Sequence, residues 1–175
     1  QGSILRHRCD MMFRRAGLEP PANVVDTTAL LLITALLAQT ELAPADLLIT
    51  AVGVNDVSSQ TPPERYVAEL EQLWEQARQR TGARWALCCG LPPMHLLPAV
   101  PHPLRWYLGR YADALDLALQ RWTAQRGLGY LSLRWAADAG LLAEDGFHPG
   151  PALYPQWAQR LAQTLFAARA QWERP

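Results

Sequence analysis

The chain has 175 residues, of which half are hydrophobic, and its 16 Arg and 16 acidic residues give a formal net charge of zero. This composition excludes a disordered chain, a collagen and a disulfide scaffold, and it predicts a single globular domain over residues 1–175. Because no basic excess is available to neutralise phosphates, we expect no nucleic-acid partner. The sequence contains no Lys, which excludes Schiff-base chemistry and a Walker-type phosphate lysine. No signal peptide and no apolar run of membrane-spanning length is visible, so membrane association is not evident.

Strand-like apolar runs alternate with longer helical patterns along the chain, which predicts an α/β fold with a mostly parallel sheet. The predicted strands cover residues 23–25, 46–53, 84–90 and 129–133. The predicted helices cover residues 9–16, 27 or 28 to 39, 61–80 with Thr61 as the cap, 103–126, and 151–172. The adjacent Cys88 and Cys89 fall on one strand, where successive side chains point to opposite faces, and we expect both to be small buried residues.

Two segments at predicted strand or helix ends carry polar groups suited to chemistry. The first is Gly53-Val54-Asn55-Asp56, directly after the most apolar strand. In an open parallel sheet, ligands bind beyond the carboxyl ends of the strands. Gly53 allows a sharp turn there, and the amide of Asn55 can donate hydrogen bonds to an oxyanion. The same tetrapeptide is also typical of a plain Asn-Asp turn that closes a strand.

The second segment is Asp145-Gly146-Phe147-His148-Pro149, just before the C-terminal helix. An Asp and a His three residues apart can fold back so that the carboxylate orients the imidazole, as in a Ser-His-Asp triad. A helix cap beside a surface His is the alternative. A metal site that combines Asp56 with Asp145 and His148 is a third interpretation, although no spacing rule fixes it.

Together, the two segments resemble the SGNH (GDSL-type) hydrolase family. Gly53 to Asp56 matches the family's Gly-x-Asn-Asp block, and Asp145 to Pro149 matches its Asp-x-x-His-Pro block. The stretches 90–95 and 103–110 also fit, and the chain looks like one bacterial branch of esterases in that family. The resemblance covers about residues 44–165 and implies a three-layer sandwich of flavodoxin-like architecture, with a central sheet of about 4–5 strands between helices.

The resemblance also implies roles for individual residues. His148 would be the general base and Asp145 its orienting partner. Asn55 would donate its side-chain amide to the oxyanion, in a loop that Gly53 shapes, while Asp56 would be structural. The implied reaction is cleavage of a carboxylic ester or thioester, with a small-molecule acyl ester as substrate and with no metal or cofactor.

The nucleophile is where the sequence departs from the family. Family members present a Ser at the end of a Gly-Asp-Ser strand and a second-block Gly in the oxyanion hole. This sequence has no Gly-Asp-Ser and no Gly between Gly17 and Gly53. Ser3, in Gln-Gly-Ser-Ile-Leu, bears a faint likeness to the missing block and is the candidate nucleophile. Ser58 and Ser59 are expected in a turn and Ser132 within a strand, and a thiolate of Cys88 or Cys89 is a further chemical option.

Three functions therefore stay open at the level of sequence. The first is a serine esterase of SGNH type. The second is an inactive SGNH-like domain that binds a ligand without a nucleophile. The third is a metal-dependent phosphoesterase that uses Asp56, Asp145 and His148. The loop 91–104 is rich in Leu, Pro, Met and Val, and as a wall of the site it would favour an apolar acyl chain over a sugar.

Overall fold

The computed structural model of the protein describes residues 29–172. Ser3, the predicted helix over residues 9–16 and the predicted strand over residues 23–25 lie outside these residues.

A parallel sheet forms the centre of the described part of the chain. Its strands are β1 (Leu47–Thr50), β2 (Trp85–Cys89) and β3 (Gly129–Leu131), in the spatial order β1-β2-β3. Leu47 lies opposite Trp85 across the first pair, and Leu87 lies opposite Gly129 across the second. All five residues of β2 are buried, as expected of a central strand covered on both faces. The predicted α/β class with a parallel sheet is confirmed, with three strands within residues 29–172 rather than 4–5.

Helices connect the strands and cover the sheet. They are α1 (Ala29–Gln39), α2 (Val54–Ser59), α3 (Pro63–Thr81), α4 (Leu104–Arg126), α5 (Leu153–Ala167) and α6 (Arg169–Trp172), with short 3₁₀ turns at Met94–Leu96, Arg134–Ala137 and Ala139–Leu141. The crossover from β1 to β2 runs through α2 and α3, and the crossover from β2 to β3 runs through α4. A parallel pair of strands needs such a long connection. It leaves the loops that follow β1 and β2 at one end of the sheet.

The core consists of two layers, one on each face of the sheet. On one face, Cys88 packs with residues of α3 and α4, among them Trp74 and Leu119. On the other face, Cys89 packs with Leu153 at the start of α5. Both thiols are buried and free, and they face opposite sides, as their adjacent positions on one strand predict.

The structure corrects the sequence predictions at several boundaries. Thr61 does not cap α3: the helix begins at Pro63, and the Thr61 hydroxyl donates instead to a carboxylate oxygen of Asp56 at 3.1 Å. Ser132 lies just after β3 and not within it, and Ser58 and Ser59 belong to α2 and not to a turn. The predicted single helix over residues 151–172 is two helices, because the backbone at Ala168 departs from helical geometry (φ −92°, ψ 4°).

Candidate active site

The loop after β1 turns sharply at Gly53. This residue has φ +118°, a conformation that an L side chain rarely adopts. A Cβ at this position would also lie 2.7 Å from the Tyr66 hydroxyl, on the adjacent helix α3. The Gly53 carbonyl then accepts the backbone N–H of Asp56 at 3.0 Å and of Val57 at 3.1 Å, which starts α2. The turn therefore requires glycine on two grounds, and it places Asn55 in the first turn of α2.

Asn55 and Asp56 face different environments although they are neighbours. The side chain of Asn55 is exposed and lines a cavity, and its amide makes no hydrogen bond to any described residue. Asp56 is fully buried beneath it. One Asp56 oxygen accepts the Thr61 hydroxyl, and the other has no partner among the described residues. Burial raises the pKa of Asp56 from its ordinary value of 3.8 to about 6. The amide of Asn55 is thus available to a ligand, while Asp56 is enclosed in the fold.

Asp145 and His148 form a tight pair in the loop before α5. One Asp145 oxygen accepts the backbone N–H groups of Phe147 at 3.0 Å and His148 at 2.9 Å, and the other lies 2.5 Å from His148 Nδ1. These hydrogen bonds, with that from the His148 side chain foremost, lower the pKa of Asp145 to about 2. With Nδ1 donating to the carboxylate, the second ring nitrogen, Nε2, is left free to accept a proton. The predicted fold-back of the segment is what the structure contains.

Two further contacts fix the loop that carries this pair. The backbone N–H of Ala143 donates to the His148 carbonyl at 2.8 Å, and Leu142 forms an isolated antiparallel bridge with Pro149. The Phe147 ring lies edge-on to the His148 ring, with 5.2 Å between the ring centroids. The imidazole is 71 % exposed, so it is positioned by its neighbours and still open to solvent and ligand.

One cavity of about 320 Å³ contains both polar groups. Asn55 and His148 lie in its wall together with Gly90, from the loop after β2. The rest of the wall is mainly apolar, with Met94, Leu97, Leu133, Ala136, Leu142, Phe147, Leu153 and Trp157 among its residues. An apolar cavity with a few convergent polar groups is typical of a small-molecule site.

A buried network holds the Gly90 side of the cavity. Asp116, on α4, is 2 % exposed and accepts the Leu91 backbone N–H at 2.9 Å. Its oxygens also accept the Tyr130 hydroxyl, at 2.9 and 2.8 Å, and the Gln120 amide at 3.0 Å. A Cβ at Gly90 would lie 2.5 Å from Asp116 Oδ1. This network was not predicted from the sequence. Its one sequence signal is that Asp116 lies between Leu115 and Leu119 on the apolar face of a predicted helix.

Most of the candidate nucleophiles lie within the described residues, where their surroundings can be compared. The Ser58 hydroxyl donates to the Asn55 carbonyl at 3.0 Å, and the Ser132 oxygen accepts the Arg134 backbone N–H at 3.3 Å. No serine from residues 29–172 lines the cavity. Burial raises the pKa of both Cys88 and Cys89, which disfavours the thiolate that a cysteine nucleophile needs. Ser3 lies outside the described residues.

The metal interpretation finds no support in the positions of its residues. Within residues 29–172, no three His, Cys, Asp or Glu side chains lie close enough to hold an ion. Asp56 is buried below the Asn55 loop, whereas Asp145 and His148 are exposed and bonded to each other. The structure thus does not bring the three proposed ligands together.

A family model described as the GDSL-like lipase/acylhydrolase family matches residues 21–155, which is well over half of the chain and includes both polar segments. The chain belongs to this family. Membership makes the protein, in general terms, an esterase- or lipase-like hydrolase, and it implies a small-molecule ester as the type of substrate.

Two solved structures are similar to that of this GDSL-like chain. One is the crystal structure of TesA, with a TM-score of 0.57 and 22 % sequence identity, covering 94 % of this chain and 86 % of TesA. The other is a protein from Lactobacillus plantarum, with a TM-score of 0.52 and 21 % identity, covering 70 % of this chain and 67 % of that one. At such identities the likeness supports the fold. A comparison with curated protein sequences gives no match. Among the described helices, none combines the length and the apolar character needed to cross a bilayer.

Proposed function

We propose that this chain is a serine hydrolase that cleaves carboxylic esters or thioesters of apolar acyl groups through an acyl-enzyme. One observation carries the proposal: the Asp145–His148 pair, with 2.5 Å between Oδ2 and Nδ1, opens onto the same apolar cavity as the unengaged amide of Asn55. His148 would be the base, Asp145 the acid that orients it, and Asn55 the hydrogen-bond donor to the oxyanion. Acyl transfer needs these three groups in addition to a nucleophile.

The reaction follows from these groups. A serine Oγ attacks the carbonyl carbon while Nε2 of His148 takes the hydroxyl proton, and the negative charge on the carbonyl oxygen receives a hydrogen bond from the Asn55 amide. Collapse of this intermediate expels the alcohol or thiol, which takes the proton from His148. Water then loses a proton to His148 and attacks the acyl-enzyme. The resulting intermediate collapses and releases the acid, while the serine Oγ takes the proton back from His148. Asp145 stays ionised throughout at neutral pH, because its pKa lies at about 2.

The serine comes from outside residues 29–172 in this proposal. No described serine lines the cavity, and Ser3 is the serine among residues 1–28. Ser3, whose segment bears a likeness to the family's Gly-Asp-Ser block, is the nucleophile that we propose within the given sequence.

A fluorophosphonate probe on the folded chain tests the proposal, since it labels a serine only when a base activates it. We expect one labelled serine, mapped by mass spectrometry to Ser3, and loss of labelling in Ser3→Ala. His148→Ala should slow p-nitrophenyl acetate hydrolysis by roughly 10²–10⁴-fold, the usual contribution of a general base. His102→Ala, an exposed histidine at the same end of the sheet, is the matched control and should keep the wild-type rate. Unchanged turnover in His148→Ala would refute the triad.

A second function is favoured by a different observation. The chain lacks Gly-Asp-Ser, and the described lining of the cavity has a base and an amide but no serine. A non-catalytic domain that binds an apolar ligand would have this set of groups. It predicts no labelling of the folded wild-type chain, together with saturable binding of a fatty acid that an Ala136→Phe substitution in the cavity wall weakens.

A further inference from the structure

Exposed apolar side chains concentrate in one segment of the described chain. Eight large hydrophobic residues of the described chain are strongly exposed, and four of them fall between residues 96 and 107. These four are Leu96 (52 % exposed), Leu104 (48 %), Trp106 (60 %) and Tyr107 (42 %), and we name them the apolar collar. Scattered single exposures are normal, whereas a cluster of this kind marks an interaction surface.

The segment that carries the apolar collar also contributes two residues, Met94 and Leu97, to the wall of the cavity. It connects the carboxyl end of β2 to the first turns of α4, which is the sheet end that carries Asn55 and His148. Leu96 is exposed between Met94 and Leu97. The start of α4 is held firmly against this segment, because a Cβ at Gly109 would lie 2.5 Å from the Cβ of His95. This segment is thus held in place beside the cavity.

The charges within the segment that carries the apolar collar are of one sign, although Glu64 of α3 acts electrostatically on Tyr111, whose ring lies 6.4 Å from that of Tyr107. Residues 91–112 contain Arg105 and Arg110 and no Asp or Glu, in a chain whose formal net charge is zero overall. The Arg110 guanidinium lies over the Trp106 ring, 5.7 Å from its centroid. The next acid along α4, Asp113, is paired with Arg134 at 3.0 Å. The collar therefore combines apolar side chains, two aromatic rings with polar edges, and positive charge.

These features decide which partner fits. Trp and Tyr favour the boundary between lipid and water, where an apolar body and a polar edge are both satisfied. Arg beside them adds attraction to anionic headgroups, of about 1 kcal/mol per residue near the surface. A symmetric contact between the collars of two copies of this chain would instead bring positive charge against positive charge. We propose that the apolar collar docks on the surface of an anionic phospholipid bilayer, with the cavity opening toward the lipid. Docking would give the site direct access to acyl esters in lipid, and this benefit rests on the proposed hydrolase function. The docking itself does not depend on that function.

Sedimentation of the full chain with vesicles tests the docking. We expect binding to vesicles of phosphatidylcholine mixed with phosphatidylglycerol, and weaker binding to phosphatidylcholine alone. Trp106→Ser with Tyr107→Ser should raise the apparent Kd for mixed vesicles by roughly tenfold or more, because two buried anchors are lost. Arg110→Gln should raise it by roughly fivefold for mixed vesicles and not for phosphatidylcholine. Added salt should weaken binding to the mixed vesicles.

Matched controls come from α5 and from the later turns of α4. Phe166 is 75 % exposed near the far end of α5, and Arg121 is exposed three turns beyond Arg110 on α4. Phe166→Ser and Arg121→Gln should bind mixed vesicles as the wild type does. We call the double substitution of Trp106 and Tyr107 the collar variant. The proposal is overturned if the wild type binds neither kind of vesicle, or if Phe166→Ser loses as much binding as the collar variant. It is also overturned if the collar variant binds vesicles as the wild type does and differs only in its oligomeric state in solution.

Hydrolysis of a soluble short ester separates this inference from the proposed function. The collar variant should bind vesicles poorly and still hydrolyse p-nitrophenyl acetate at the wild-type rate, since the collar does not line the cavity. Vesicle binding by a wild-type chain that hydrolyses nothing would uphold the docking and refute the hydrolase. Hydrolysis without vesicle binding would do the reverse.

Discussion

Asp56 is the residue whose environment is least favourable to its charge. It is fully buried, and one of its oxygens has a single hydrogen bond from Thr61 while the other has no partner among residues 29–172. An ionised carboxylate in such a place lacks the solvation that water would give it, so the folded chain favours the protonated form. This burial is what raises its pKa to about 6.

The sign of the resulting pH dependence follows directly. Because the pKa is higher in the folded than in the unfolded chain, Asp56 stabilises the fold fully below about pH 4, and that stabilisation is lost as pH rises through about 6. Asp56→Asn, which is neutral at every pH, should therefore gain stability relative to wild type between about pH 4 and pH 8, by on the order of 3 kcal/mol. Urea unfolding at the two pH values measures this difference.

The control for Asp56→Asn is Glu144→Gln, which removes an exposed acid. It should change stability by less than about 0.5 kcal/mol at either pH. An Asp56→Asn difference that is the same at both pH values would show that Asp56 does not titrate in this range.

At the scale of elements, α4 stabilises the part of the cavity wall that follows β2. Its Asp116 connects the loop after β2, through the Leu91 backbone N–H, with the Tyr130 hydroxyl on β3. Burial and the nearby Asp116 raise the pKa of Tyr130 to about 12, so the phenol stays a hydrogen-bond donor. Removal of the carboxylate would leave buried donors without partners, which costs more than the hydrogen bonds themselves stabilise.

Asp116→Ala should therefore lower the free energy of unfolding by about 2–4 kcal/mol. Asp116→Asn keeps an acceptor oxygen and should recover most of the loss. It also removes the negative charge, so the Tyr130 pKa should fall, which absorbance of the phenolate measures. Asp113→Ala, which breaks an exposed ion pair on the same helix, is the matched control and should cost less than about 1 kcal/mol. An equal decrease in the free energy of unfolding for Asp113→Ala and Asp116→Ala would contradict the proposed stabilising role of Asp116.

The sequence predicts elements well where the signal is local. The helices α3 and α4 end at Thr81 and Arg126, each followed by the glycine that the sequence places there. It fails where a distant residue decides the outcome. Thr61 has a capping pattern, yet its hydroxyl bonds to Asp56 instead. The network of Asp116 joins residues from three elements, and no short motif encodes such a contact.

At the scale of the whole molecule, the same difference between local patterns and contacts with distant residues explains what could be predicted of the site. The Asp145–His148 pair and the Gly53 turn form within short segments, so their patterns alone indicate their geometry. That both reach one cavity depends on the parallel sheet, which the alternation of strands and helices also predicts. The nucleophile has no such pattern, since Ser3 is not part of a Gly-Asp-Ser block, and it stays a prediction for the labelling experiment.

In the proposed hydrolase, the cavity limits the size of the acyl group that the chain can accept. Its volume is about 320 Å³, and its wall is mainly apolar, so it has room for an acyl chain longer than acetyl. Ala136 lies in the wall and is buried. Ala136→Phe should take up cavity volume, so that kcat/KM falls roughly tenfold or more for p-nitrophenyl octanoate and roughly twofold at most for the acetate. Ala114→Phe, at an exposed position on α4, should leave both unchanged. A parallel loss for the two esters in Ala136→Phe would mean that the acyl chain lies elsewhere.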